Sequence, residues 1–289
     1  MDYRSSVRRI ALLAVATAVV TANFMAWIAP ALARARVPIV LIVMENKTYQ
    51  TIRGTKSAPY LNGTFIPKGT LYTNYWSISH PSLPNYLALT AGSTLDCKSD
   101  ACALTFTQNN LFHQLDAKSV GWRGYAESMP SACDGSNAGD YVIRHNPAPY
   151  YTDLRAGSCN HRDIAYPTTL PRQLRPFTFV TPNVCNDMHS CSISTGDAWL
   201  ATHVPALLSK GAVVIITFDE GSDANPQVLT AVVGPHIRAG LKDGTRYDHY
   251  GLLAGLERYF GVPRLKNAAT ATLLPIRAAR STPRLSRRI

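Results

Sequence analysis

The stretch VPIVLIVMEN (37–46) is an almost unbroken run of apolar, largely β-branched residues that ends in two polar side chains. GAVVIITFDEG (211–221) has the same form, and FTFVTPN (177–183) and VLTAVVGPHI (228–237) are shorter runs of this type. Such runs are typical of strands that are buried on both faces of a parallel sheet. These stretches therefore predict the central strands of the fold.

Helical patterns separate these runs. They occur at 82–92, 109–119, 196–211 and 249–261. Strands that alternate with helices predict an α/β fold, a three-layer sandwich around a mostly parallel central sheet. Because ligands of such sheets bind beyond the carboxyl ends of the strands, polar residues at those ends are the first candidates for a functional site.

Acidic and amide side chains stand at two of these strand ends. Glu45 and Asn46 end the first run, and Asp219 and Glu220 end the run at 211–221. Carboxylate and amide oxygens are hard ligands for divalent cations, and adjacent buried acids are costly without a cation. Either pair alone is as well explained by a solvated strand end. Together they indicate a shared metal.

The first 33 residues resemble a secretory signal peptide. Three arginines precede an apolar stretch at about 10–31, which ends in Ala31-Leu32-Ala33. An uncleaved membrane anchor is the alternative, because the stretch is long enough to span a bilayer. We expect a protein that is secreted or otherwise extracytoplasmic, with one catalytic domain over 37–275.

The chain has 289 residues, 46% of them hydrophobic, and a net charge of +11. Five of its arginines lie in the last 14 residues, within a basic tail over 276–289. Such a tail can contact anionic lipid or cell-wall polymer. Nucleic acid is not an expected partner, because no recognition motif accompanies the charge.

All six cysteines follow the signal peptide, and export favours three disulfides. Six cysteines allow 15 connectivities. We favour the sequential one because it closes the shortest loops: Cys97–Cys102, Cys133–Cys159 and Cys185–Cys191.

The stretch CNDMHSC (185–191) places Asp187 and His189 between two cysteines. It is either a metal site built on thiolates or a disulfide loop that carries two working side chains. A thiolate site requires reduced cysteines, so export favours the disulfide loop.

SHPSLPNYLALTAG (79–92) joins a loop to a predicted helix. Ser82 either caps this helix or stands as a nucleophile at its N-terminus, where free N–H groups favour an anion. The two interpretations are compatible. Asn85, one turn further on, is a candidate donor to a phosphoryl oxygen.

Other polar candidates are Arg144 and His145 in YVIRHNPAPYY (141–151), and His249 at the start of the last predicted helix. A guanidinium and an imidazole beside aromatic residues suit a phosphate group, although an ordinary surface loop is as good an interpretation. We expect the remaining histidines to be surface or core residues: His80, His113, His161, His203 and His236.

These motifs, in this order, resemble the bacterial phosphoesterase family of acid phosphatases and non-specific phospholipases C, within the alkaline phosphatase superfamily. The likeness covers about 37–265. Its motifs are IVLIVMENKTYQTI (39–52), SHPSLPNYLALTAG, YAESMP (125–130), YVIRHNPAPYY, CNDMHSCSISTGDAWL (185–200), ITFDEG (216–221) and HYGLLAGLERYFGVP (249–263).

The resemblance implies that Ser82 is the nucleophile and forms a phosphoserine intermediate, with Asn85 three residues on as its partner. It implies a divalent metal, whether Ca, Mg, Mn or Zn, and metal ligands Glu45, Asn46, Asp219 and Glu220. It also implies that Arg144 and His145 contact phosphate. Asp187, His189 and His249 match a second metal site, or they bind or protonate the substrate instead.

The resemblance further implies the reaction. A compact secreted member most resembles the acid phosphatases, so hydrolysis of a phosphomonoester is expected, with phosphoinositides as possible substrates. One alternative is a phospholipase C that acts on phospholipid diesters at the same site. Another is a secreted anion-binding protein without catalysis, in which the acids hold a structural cation.

Overall fold

The computed structural model describes residues 36–222 and 224–276. The predicted signal peptide (1–33) and nearly all of the predicted basic tail (276–289) lie outside these residues. The strands of the described chain are β1 Ile39–Met44, β2 Thr70–Tyr72, β3 Tyr75–Trp76, β4 Trp122–Ala126, β5 Asp163–Ala165, β6 Phe177–Thr181, β7 Val213–Phe218, β8 Thr230–Val233, β9 Leu241–Asp243 and β10 Tyr247–Asp248. The α-helices are α1 Tyr49–Ile52, α2 Ser82–Ala91, α3 Leu111–Ala117, α4 Thr152–Ala156, α5 Cys159–Arg162, α6 Ile193–Ser209 and α7 His249–Phe260.

Eight of these strands form the central sheet, in the order β5-β4-β6-β1-β7-β8-β2-β9, and β3 pairs with β10 separately. Within the described sheet, β8 is antiparallel to both of its neighbours, and the other neighbouring pairs are parallel. The predicted α/β fold with a mostly parallel sheet is confirmed.

The run at 228–237 was expected to form a parallel strand, and that expectation is wrong. A parallel strand needs a crossover connection, usually through a helix. The segment between β7 and β8 contains no helix among its described residues, so the chain turns back and β8 runs against β7.

The strands β1 and β7 lie side by side at the centre of the sheet, and all twelve of their residues are buried. They pair in parallel from Ile39 opposite Val213 to Met44 opposite Phe218. Glu45 and Asp219, which follow the two strands, therefore emerge at the same edge of the sheet. This register brings the two acidic strand ends together.

The helix α2 is buried along its whole length and packs against α3 and α7. It ends at Gly92, which has a φ of 70°. A Cβ atom there would lie 2.3 Å from the carbonyl oxygen of Leu265, so this close approach requires glycine. The helix α6 packs against β7 and the helical turn at 61–65.

None of the helices in the described ranges is long and apolar enough to cross a membrane. The cysteines pair sequentially, as Cys97–Cys102, Cys133–Cys159 and Cys185–Cys191. Each of the three loops carries polar residues of the site described next.

Candidate active site

The site lies at the edge of the sheet where β1, β6 and β7 end. The backbone N–H of Glu45 donates to the carbonyl oxygen of Asp187 at 2.9 Å, and that of Asp219 donates to Met44 at 2.9 Å. These bonds tie the loop after β6 to β1, and β1 to β7. Three acids that are distant in sequence are thereby held at one place.

Glu45 is the centre of the site and is fully buried. Its Oε2 accepts a hydrogen bond from Ser82 Oγ at 3.1 Å, and its Oε1 accepts one from the hydroxyl of Tyr86. Burial, then the charges of Asp219 and Asp187, raise the pKa of Glu45 well above its usual value. Negative charge on Glu45 is therefore costly unless a proton or a cation offsets it.

Asp219 and Asn46 meet beside Glu45. The backbone of Asn46 adopts a φ of 50°, which asparagine tolerates, and its N–H donates to Asp219 Oδ1 at 3.1 Å. The terminal amide of Asn46 lies 3.1 Å from both Glu220 Oε1 and Glu45 Oε2. In one orientation of this amide, Nδ2 faces the two carboxylates and donates to both. In the flipped orientation, Oδ1 faces them and could bind a cation together with them.

Asp187 connects the acidic cluster to His145. Its Oδ2 lies 3.1 Å from His145 Nδ1, and its Oδ1 accepts the backbone N–H of His189 at 2.7 Å. His145 stacks on the ring of Tyr86, and its Nε2 lies 3.3 Å from Glu45 Oε2. Donor atoms of Glu45, His145 and Asp187 all lie within 4.8 Å of one another, so this triad could hold a metal ion.

The donor set fits a divalent cation. Burial raises the pKa of Asp219 and that of Asp187 to about 7. Within the described chain, Asp219 Oδ2 is buried and has no hydrogen-bond partner. Burial also keeps the pKa of His145 well below its usual value, so its ring is neutral. If His145 Nδ1 donates to Asp187, Nε2 carries a lone pair that faces an oxygen of Glu45. Two acceptor atoms that face each other repel, and a cation between them removes that repulsion.

Ser82 is the first residue of α2, and its hydroxyl points to Glu45 instead of capping the helix. The backbone N–H of Leu83 donates to Asp100 Oδ1 at 3.0 Å. In the described structure Asp100, and not Ser82, accepts a backbone N–H at the N-terminus of α2. The interpretation of Ser82 as the helix cap is therefore wrong.

The expected role of Asn85 as a donor to phosphate does not match its contacts. Its Oδ1 accepts the backbone N–H groups of Ile78 and Ser79, both at 3.0 Å, and its Nδ2 donates to the carbonyl oxygens of Ser79 and Pro81. Since all four bonding positions of this buried amide are used, Asn85 instead holds the loop that precedes Ser82.

His249 is likewise committed to protein partners. Its Nε2 faces the carbonyl oxygen of Asp219, which can only accept, so Nε2 is the donor. Its Nδ1 then accepts from the hydroxyl of Tyr75 at 2.9 Å. Burial lowers the pKa of His249 to about 4, so the ring is neutral. These contacts fit a residue that positions Asp219, and they leave no ring nitrogen for a metal or a leaving group.

Arg144 and His189 form a more open part of the site. Arg144 Nη2 lies 3.2 Å from His189 Nε2, and Arg144 Nε lies 3.5 Å from Asp100 Oδ2. Burial, then the charge of Arg144, lower the pKa of His189. The structure therefore brings Arg144, His145, His189 and Ser82 to one place, as a phosphate-binding interpretation requires.

Four residues of the site were missed by the sequence analysis. His80 is an exposed surface residue, as expected, but its Nδ1 also lies 2.8 Å from Glu220 Oε2. Tyr86 and Asp100 have the contacts given above. Lys47 Nζ donates to the carbonyl oxygen of Met188 at 2.7 Å. Lys47 adjoins Glu45-Asn46 and Tyr86 adjoins Asn85, so closeness to a predicted site residue was an available signal for both.

Two solved structures share the fold of this chain, and the first is described as a member of the alkaline phosphatase superfamily. A member from Vibrio parahaemolyticus superimposes with a TM-score of 0.56 over 81% of this chain and 70% of its own, at 10% identity. The lipoteichoic acid synthase LtaP from Listeria monocytogenes gives a TM-score of 0.53 over 82% and 76%, at 9% identity. This chain therefore shares the fold of a member of the alkaline phosphatase superfamily.

The chain belongs to the Phosphoesterase family, whose model matches residues 63–263. It is 34% identical over 244 residues to a phosphatidylinositol-3-phosphatase of Mycobacterium tuberculosis, covering 81% of this chain and 80% of that relative. It is 32% identical over 222 residues to a phosphate-repressible acid phosphatase of Penicillium chrysogenum, covering 68% of this chain. The match spans only 53% of the Penicillium protein.

Proposed function

We propose that this protein is an exported acid phosphatase that hydrolyses phosphomonoesters through a phosphoserine at Ser82. The observation that carries the proposal is the hydrogen bond from Ser82 Oγ to the buried carboxylate of Glu45. A hydroxyl at a helix N-terminus, hydrogen-bonded to a carboxylate and close to Arg144, has the arrangement that nucleophilic attack on phosphorus requires. The names of the two relatives support the same reaction class.

In the first step, Ser82 Oγ, which is oriented by its hydrogen bond to Glu45 Oε2, attacks phosphorus and its proton passes to solvent. The bond from Oγ to phosphorus forms, and the bond from phosphorus to the alcohol oxygen breaks. Arg144 is placed to bind the phosphoryl oxygens through its remaining N–H groups. In the second step water attacks phosphorus and gives a proton to His189, the bond between phosphorus and Ser82 Oγ breaks, phosphate is released, and Oγ takes a proton from solvent.

The departing alcohol oxygen needs a proton, and His189 is the better of the two histidines considered for this role. Both rings have two hydrogen-bonded nitrogens, but His249 is fully buried among protein partners, whereas the partner of His189 Nδ1 is the exposed hydroxyl of Ser190. His189 is half-buried beside Arg144, and its lowered pKa means that its ring is protonated mainly in acid solution. An acidic pH optimum follows from this assignment.

A divalent cation completes the proposed site. Glu45, Asn46, Asp219 and Glu220 would hold it, with Asp187 and His145 as further donors on the other side of Glu45. A cation bound there supplies the positive charge that offsets the buried acids and lowers the cost of negative charge on Ser82. The unpartnered Asp219 Oδ2 supports this position.

We also propose that the chain is exported. Its six cysteines all form disulfides, which persist in oxidising compartments. The signal peptide, the extent of the catalytic domain over 37–275, and contact of the basic tail with anionic lipid or cell wall stay predictions.

The proposal is tested by a phosphate-release screen over mono- and diesters, phosphoinositides included, with wild type and Ser82→Ala. We expect turnover of monoesters by wild type, and a loss of at least ~10³-fold in Ser82→Ala, as nucleophile removal typically causes. Ser77→Ala is the control, since the Ser77 hydroxyl donates to the carbonyl of Pro226. Ser82→Ala activity within about threefold of wild type rules out Ser82 as the nucleophile.

The same screen separates the alternatives. Release of diacylglycerol without turnover of monoesters identifies a phospholipase C. Absence of turnover with every phosphate ester, in protein supplied with divalent metals one at a time, identifies a binding protein.

A further inference from the structure

The short disulfide loop Cys97–Cys102 places an additional carboxylate, that of Asp100, in the site. The two cysteines are separated by five positions, and Cys97 is buried in the core. The side chain of Asp100 is 36% exposed, so one side of it faces solvent and the other the protein. The disulfide gives this loop a fixed attachment to the core beside α2.

Two contacts orient Asp100. Its Oδ1 accepts the backbone N–H of Leu83 at 3.0 Å, and its Oδ2 lies 3.5 Å from Arg144 Nε. Leu83 directly follows Ser82, and Arg144 is the proposed phosphate ligand. A phosphoryl group that reaches Ser82 Oγ and contacts Arg144 therefore lies next to the carboxylate of Asp100.

The groups around Asp100 come from three segments. The segment 141–151 contributes Arg144, His145 and Tyr150. Beside the larger effect of burial, the negative charge of Asp100 acts to raise the pKa of His145 and that of Tyr150. His189 comes from the loop Cys185–Cys191 and also feels the charge of Asp100. The third segment is the first turn of α2, which contributes the N–H of Leu83.

The proposed mechanism gives Asp100 no proton to transfer and no bond to substrate. It is nevertheless a negative charge beside a position that must accept an anion. Each negative charge on a bound phosphate is repelled by it, so a doubly charged ligand is penalised twice and a singly charged ligand once.

We propose that Asp100 determines charge specificity, so that the site favours singly charged phosphate groups over doubly charged ones. This inference rests on the proposed phosphatase function and on Arg144 as the phosphate ligand. Phosphomonoesters gain their second negative charge at about pH 6. Such selectivity therefore favours their binding in acid solution, independently of the protonation of His189.

The test measures the binding of two inert anions to Asp100→Asn by titration calorimetry at neutral pH. Sulfate carries two negative charges and dimethyl phosphate carries one. We expect the ratio of the two dissociation constants to change about threefold in favour of sulfate, as Coulomb's law gives for one charge at roughly 6 Å in a largely aqueous medium. Displacement of Arg144 would weaken sulfate more than dimethyl phosphate, so it would change the ratio in the opposite direction.

The matched control is Asp153→Asn, because Asp153 pairs with His113 instead of site residues. This control should leave the ratio unchanged. An unchanged ratio in Asp100→Asn, an equal change in Asp153→Asn, or no measurable binding of either anion overturns the inference.

Turnover of a phosphomonoester by wild type, measured in the same preparation, separates this outcome from failure of the proposed function. Absence of turnover contradicts the phosphatase, and it leaves the binding ratio to decide on Asp100. Normal turnover with an unchanged ratio contradicts the role of Asp100 alone.

Discussion

Replacing Asp163 by asparagine should make the protein more stable, and more so as the pH rises. Asp163 is fully buried at the start of β5. Its Oδ2 accepts from Asn146 Nδ2 at 2.7 Å, whereas Oδ1 has no partner among the described residues. Burial raises the pKa of Asp163 from 3.8 to about 7. The folded protein therefore holds this proton more tightly than the unfolded chain does.

The sign and the size follow from proton linkage. Below about pH 4 both states are protonated, and Asp163 has no effect on stability through its charge. Between the two pKa values the unfolded chain ionises and the folded state does not, so stability falls as pH rises. From about pH 5 to about pH 8 the loss is about 2.5 kcal/mol, and above the folded pKa it levels off.

The assay is urea unfolding of wild type and Asp163→Asn at these two pH values. The difference in unfolding free energy should be about 2.5 kcal/mol larger at the higher pH. Asp140→Asn, at an exposed aspartate, is the control and should show no such change. A difference that is equal at both pH values, or larger in acid, refutes the reasoning.

Three further predictions concern the site. The loop Cys185–Cys191 spans only six positions, so replacing both cysteines by serine should lower the free energy of unfolding by about 2 kcal/mol in the chain-entropy model, measured by urea unfolding. The same change should lower kcat/KM for a monoester tenfold or more, because the loop positions Asp187 and His189. An unchanged kcat/KM would argue against this positioning role. Chelation should abolish turnover and lower the melting temperature, with both recovering when one particular divalent metal is added; full activity after exhaustive chelation contradicts the metal site. His249→Gln should lower kcat only ~10–100-fold by displacing Asp219, with the alkaline limb of the pH profile unmoved; a shift of that limb would make His249 the acid.

The central strands and the sheet edge that carries the acidic residues were predictable, because both follow from local sequence patterns. The apolar runs at 39–44 and 213–218 are too continuous for half-exposed strands, so they had to lie inside a sheet. Parallel strands bring their carboxyl ends to one edge, which is why Glu45 and Asp219 could be paired before any distance was known.

The roles of Asn85 and His249 were not predictable, because they depend on contacts between distant segments. His249 faces the carbonyl oxygen of Asp219, 30 positions away. The sequence shows which side chains are present but not which groups they contact. Asn85 bonds nearby backbone groups whose conformation only the folded loop defines. Asp100 was missed for a related reason, since it reaches the site from a loop with no motif of its own.

The central claim is that Ser82 becomes phosphorylated during turnover. Its most direct measurement is peptide mass spectrometry of protein that is quenched in acid during hydrolysis of a phosphomonoester. We predict one added phosphoryl group on the peptide that contains Ser82, and none in Ser82→Ala or in protein without substrate. A quenched wild-type enzyme that turns over substrate but carries no phosphoryl group on Ser82, or carries it on another residue, contradicts the account.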